Sequence, residues 1–230
     1  MTLPAPSADR RRVRTILGRL RKRFGALEPP RRSDPLEELI LTVLSQHTSD
    51  LNAERAFEAL REAFPSWNDV LAAPTTDLAD VIRSGGLANT KAPRIQAILH
   101  EIHEREGSWD LSWMREASDD DIRAYLLSLP GVGPKTAAVV LAFALGRDAL
   151  PVDTHVYRVS RRLGLIPPAA TAESADRLLH ELVSDGSRTP LHVGLIRLGR
   201  EVCKAGRPLC GACPLQDLCP SADPPARRGA

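Results

Sequence analysis

A chain of 230 residues with 43% hydrophobic residues can bury a sizeable core, as one large domain or two small ones. Its formal net charge of only +2 gives no ground for a polyanionic partner from the total alone. No apolar run approaches the length of a membrane-spanning helix and no secretory h-region is present, so no membrane contact and a cytoplasmic location are expected, at the nucleoid if the source is bacterial.

Residues 1–11, which include two prolines and two alanines, read as a disordered tail. Val13, Ile16, Leu17, Leu20 and Phe24 then recur at helical spacing, predicting a helix over about 12–24. The window 10–23 holds Arg10, Arg11, Arg12, Arg14, Arg19, Arg21, Lys22 and Arg23 and no acid. It reads either as a phosphate-facing surface or as a solvated basic helix. Pro35 opens a second helix through Leu36, Leu39, Ile40, Val43 and Leu44. Ser49 or Asp50 caps a third running to Phe64. Asp77–Ser84 is short and stopped by Gly85-Gly86, and Asn89 or Thr90 caps a helix to about Arg105. Ser118 followed by Asp119, Asp120 and Asp121 starts a helix ending near Ser128, since carboxylates favour the positive end of the helix dipole.

Leu129-Pro130-Gly131-Val132-Gly133-Pro134-Lys135 comes next. Two glycines one residue apart make a tight turn whose amides can form an anion-binding nest beside the following helix N-terminus. Pro134 suits a first helical position, in a helix expected to run to Leu145 and end at Gly146. Lys135 falls in its first turn, where the dipole disfavours an ammonium and favours the nucleophilic amine. A solvated first-turn lysine is the plainer reading. Helices near 154–163, 172–183 and 190–202 complete the pattern, with no convincing strand alternation, so the chain is expected to be all-α. Asp153 is placed to cap the helix from Thr154, or to act in chemistry, or both.

The four cysteines, Cys203, Cys210, Cys213 and Cys219, lie within 17 residues. Pro208 and Pro214 keep that loop out of helix, so a metal centre must organise it. The residue types alone leave zinc and iron–sulfur open.

The spacing Cys-x₆-Cys-x₂-Cys-x₅-Cys, the segment Leu129–Lys135 and the segment Val152-Asp153-Thr154-His155-Val156-Tyr157-Arg158-Val159 together resemble the endonuclease III family of DNA glycosylases, over roughly residues 12–219. The resemblance implies the helix–hairpin–helix glycosylase fold, with a six-helix barrel domain at 29–146, a cluster domain made of 12–28 and 147–219, and a disordered tail at 220–230. It implies a [4Fe–4S] cluster on the four cysteines, and a monomer acting on double-stranded DNA. It implies a bifunctional glycosylase/AP lyase that removes oxidised pyrimidines and cleaves 3′ to the abasic site, with Lys135 and Asp153 catalytic. Arginine cannot replace the lysine, because it neither deprotonates nor forms a Schiff base. DNA contacts are expected from Gly131, Val132, Gly133, Lys91 and His155, and from Lys204 and Arg207 between the first two cysteines. Relatives commonly read Leu-Ser-x-Gln-x-Thr-Asp, with the Gln filling the gap left by the flipped base. Here the run is Leu44-Ser45-Gln46-His47-Thr48-Ser49-Asp50, so Gln46 comes one position early and His47 holds the wedge position. A monofunctional glycosylase for mispaired or deaminated bases, a non-enzymatic DNA-binding module and a redox protein are the competing classes.

Overall fold

A computed structural model describes residues 6–28 and 34–222, with side chains from residue 10 onward. Every regular element among the described residues is helical. The chain divides into two units, Arg31–Arg147 and a second made of Met1–Pro30 with Asp148–Ala230.

The first unit is built around α2 (Pro35–Leu44). Asp34 caps it, accepting from the Glu37 amide at 2.8 Å, and Pro35 fills a position whose N–H would have no helical partner. Leu36, Leu39, Ile40, Val43 and Leu44 are all fully buried, and Glu38 and Thr42 are buried too. Such all-round burial marks a central helix. Packed around it are α3 (Asp50–Ala63), α6 (Ala88–Glu106) and α8 (Pro134–Val139), while α5 (Thr75–Val81) packs on α6. A short helix α4 (Trp67–Ala72) lies outside the sequence expectation. Six residues are too few to show a period, and its one signal is the Ser66–Asp69 capping box. Ser118 and three first-turn carboxylates start α7 (Asp119–Ser128) as expected.

The expected continuous helix from Pro134 to Leu145 is α-helical only to Val139. It continues as a π-helical turn, Val140–Ala144, in which the Leu145 amide donates to Val140 O at 3.2 Å. The apolar run is buried on several sides, so its composition holds no trace of the wider turn.

In the second unit, α1 spans Pro6–Phe24 and starts inside the expected tail, with Pro6 as its first helical residue. Val13, Ile16, Leu17 and Leu20 of α1 join one core with Val156 and Val159 of α9 (Thr154–Arg162), Leu179 of α10 (Ala172–Leu182), and Leu191, Leu195 and Leu198 of α11 (Arg188–Glu201). α11 begins before the expected Pro190 because Asp148, far back in the chain, accepts from the amides of Arg188 (3.0 Å) and Thr189 (3.1 Å). Of the expected C-terminal tail, Ala222 donates to Cys219 O in a turn at 3.1 Å, and residues 223–230 lie outside the described residues.

Candidate active site and cysteine loop

The hairpin hangs between α7 and α8 on buried apolar anchors. Leu129 and Val132 are 2% and 6% exposed. The Val132 amide donates to Leu129 O at 3.2 Å. That closes the turn, so Val132 contributes a core side chain and its N–H is not among the amides open to an anion. Gly131 has φ +70°, and a Cβ there would sit 2.5 Å from Arg94 Nε. The positive φ favours glycine, and a Cβ would have to push the Arg94 side chain aside. Gly133 is the extended N-cap of α8 and Pro134 its first residue, which puts half-buried Lys135 second.

In the same unit, the end of α2 leads into Gln46 and His47. Gln46 is half-buried, and its Oε1 accepts from Arg94 Nη1 at 2.9 Å. His47 is exposed with φ +55°. The two expected wedge candidates therefore differ: one is tethered, the other projects from a strained backbone.

Lys91 departs from expectation. It is 2% exposed, and Nζ donates to Leu44 O at 2.6 Å and Gly85 O at 2.7 Å. Neither a phosphate contact nor a solvated lysine fits. Leu44 is the last residue of α2, where carbonyls lack helical partners and welcome a cation. Burial pulls the Lys91 pKa down. Sequence reasoning also passed over Leu87, which precedes α6 at φ +51° and is 56% exposed. No residue type in the segment signals a left-handed leucine.

In the other unit, Asp153 is the N-cap of α9, with Oδ1 accepting from the Val156 amide at 2.7 Å. The capping role is therefore real, and it occupies one carboxylate oxygen. His155 is half-buried, with Nδ1 3.1 Å from Arg158 Nη2. A Cβ on Gly199 would come within 2.9 Å of that same ring nitrogen, so the imidazole lies against α11.

All four cysteines are free and half-buried, and they line one cavity together with Arg162 and Val202. The loop holds little core of its own beyond the fully buried Leu215. Arginines fasten it instead. Arg162 donates to Lys204 O (2.7 Å), Ala205 O (2.8 Å) and Cys203 Sγ (3.3 Å). Arg158 donates to Cys203 O at 3.1 Å, and Arg12 to Leu218 O at 2.8 Å. Arg19 donates to Pro214 O at 3.2 Å and forks onto Asp217. Arg12 and Arg19, in the window read as either phosphate-facing or solvated, thus face the cysteine loop, whereas Arg10, Arg11 and Arg14 are exposed. Burial, reinforced by the neighbouring thiols, pushes the Cys213 and Cys219 thiols up. A cationic centre reverses that, because thiolates are the ligating form. No three His, Cys, Asp or Glu side chains among the described residues converge as for one metal ion. Four soft donors lining one cavity fit an iron–sulfur cluster. Lys204 and Arg207 are exposed between the first two cysteines.

Residues 40–185 match the model of the HhH-GPD superfamily base excision DNA repair protein, and residues 203–219 match the iron–sulfur binding domain of endonuclease III. The molecule is thus of the helix–hairpin–helix base excision repair class. It is 37% identical over 187 residues to endonuclease III of Thermotoga maritima, covering 81% of this chain and 83% of that one. Endonuclease III of Bacillus subtilis is also 37% identical, with 81% of each chain covered. A solved structure of a trapped endonuclease III–DNA covalent intermediate, an estranged-adenine complex, superposes with a TM-score of 0.80 at 32% identity, covering 92% of this chain and 96% of that one. The chain belongs to the endonuclease III family. It is a bifunctional base excision repair enzyme, a DNA glycosylase/AP lyase, and carries a [4Fe–4S] cluster. No helix among the described residues is long and apolar enough to cross a membrane.

Proposed function

We propose that this enzyme removes oxidised pyrimidines from double-stranded DNA, with Lys135 as nucleophile and Asp153 as its catalytic partner. The observation that carries the assignment is the position of Lys135 in the first turn of α8, two residues beyond the glycine hairpin. The chain has four lysines. Lys91 is committed to two carbonyls, and Lys22 and Lys204 are exposed at the end of α1 and in the cysteine loop.

The target base sits inside the stack, so its nucleotide is first flipped out. The Lys135 amine attacks C1′ and the base leaves with the glycosidic electron pair and a proton. Opening of the sugar gives a Schiff base, which acidifies the C2′ proton. Loss of that proton expels the 3′ phosphate by β-elimination, and hydrolysis frees the lysine. The Asp153 carboxylate stabilises cationic character at C1′ and manages protons around the amine, while its capping bond fixes its direction. The Gly131 and Gly133 backbone with Lys204 and Arg207 hold phosphates, an attachment that salt weakens. His155, two residues beyond the Asp153 cap, is a further candidate contact to DNA. Cys203, Cys210, Cys213 and Cys219 ligate the cluster, whose contribution is to fold the loop carrying Lys204 and Arg207. The enzyme works as a monomer in the cytoplasm.

A panel of duplexes bearing thymine glycol, dihydrouracil, an abasic site, 8-oxoguanine or T:G tests the reading. Excision with strand cleavage is expected at the first two and cleavage at the third. Base release without cleavage, or preference for T:G, would overturn it.

A further inference from the structure

Lys91 lies in the first turn of α6, the end of a helix that repels a cation, and it is buried. Burying an ammonium is costly unless strong acceptors compensate. The compensation is two carbonyls from separate segments: Leu44, which ends α2, and Gly85, which ends the 3₁₀ turn Arg83–Gly85. Three residues past Leu44 comes His47, and two past Gly85 comes Leu87. These are the two non-glycine residues with positive φ among the described residues. Each such backbone is unfavourable for a residue with a Cβ and persists only where its surroundings over-determine it. One side chain therefore joins the roots of both strained turns.

We infer that Lys91 is a positioning residue for base flipping: its ammonium clamps the Gln46–His47 turn and the Leu87 turn into one rigid edge that enters the duplex as the nucleotide leaves. The inference rests on the reading that the Gln46–His47 turn fills the vacated gap. Two turns free to move independently would lose order on insertion, and that cost falls on the flipped state. An abasic site is poorly stacked already and needs the edge less.

Lys91→Met keeps an unbranched stem, one atom shorter, and removes its donors. Single-turnover excision of dihydrouracil from paired duplex is compared with strand cleavage at a preformed abasic site. The ratio of the two rates is expected to fall by about tenfold or more. Hydrogen exchange is expected to rise together in residues 44–48 and 85–88 and to stay unchanged in the hairpin 129–133. Equal loss of both rates, or loosening of one segment alone, would overturn the inference, since a merely structural lysine lowers both rates alike. Lys91→Gln, which keeps one donor group, serves if the methionine variant does not fold. Gln46→Ala and His47→Ala, run alongside, test the gap-filling reading separately. If neither moves the ratio, that reading fails, while a selective fall in Lys91→Met with joint loosening of both segments still supports the clamp.

Discussion

The hairpin and the cysteine loop are both short, irregular and rich in glycine or proline, yet they are held in opposite ways. The hairpin is fixed by apolar burial: Leu129 and Val132 anchor it, and Thr136, Ala137 and Ala138 root the helix that follows. The cysteine loop has one fully buried apolar residue, Leu215, and is fastened by arginines reaching backbone carbonyls and by its metal centre. A hydrogen bond to a charged group contributes about 1.5–3 kcal/mol, so several of them with a cluster can stand in for a core. Damage therefore shows differently in the two regions. A substitution at the hairpin's lysine is expected to spare the fold, and one at a cysteine to loosen it.

The largest effect is expected at Lys135. Lys135→Ala should lower strand cleavage by at least about 10³-fold, the scale on which losing a covalent nucleophile acts. Thermal unfolding should barely move, because the side chain is half-buried and its neighbours carry the packing. Lys135→Arg should be equally inactive despite keeping the charge, and measured melting beside turnover checks both.

Asp153→Asn is next, and it separates cap from chemistry. Asparagine caps as well as aspartate, so stability should change by less than about 1 kcal/mol. Turnover should fall by roughly 10²–10⁴-fold, because a charge needed in the transition state is gone. Lost stability with retained specific activity would mean that capping is the whole role.

The smallest effect on chemistry, with the greatest effect on fold, is expected in the loop. Cys213→Ser should bleach the broad visible absorption of the cluster and expose residues 203–219 to protease. Activity per correctly folded molecule should fall far less than in Lys135→Ala. A protein that loses its cluster with no loss of loop order would break the comparison.

Local constraints were legible in the sequence. Gly131, Gly133 and Pro134 dictate a turn and a helix start, Asp153 reads as a cap, and four closely spaced cysteines read as a metal centre. Long-range partners were not. Arg12 finds Leu218 O across the chain, and Asp148 caps α11 from another element. Lys91 is the sharpest case: it reads as a DNA contact, but helix phase turns it inward onto carbonyls whose nearness no local pattern reveals. The left-handed Leu87 and the π-helical turn are likewise set by packing, and residue type leaves no mark of them.

Lys135 as the covalent nucleophile is open to a direct test. Borohydride reduction of the wild-type enzyme on an abasic duplex, followed by proteolysis and mass spectrometry of the cross-linked peptide, tests it most directly. The adduct should map to the peptide containing Lys135. An adduct on Lys22, Lys204 or the N-terminal amine, with Lys135 unmodified, would contradict it.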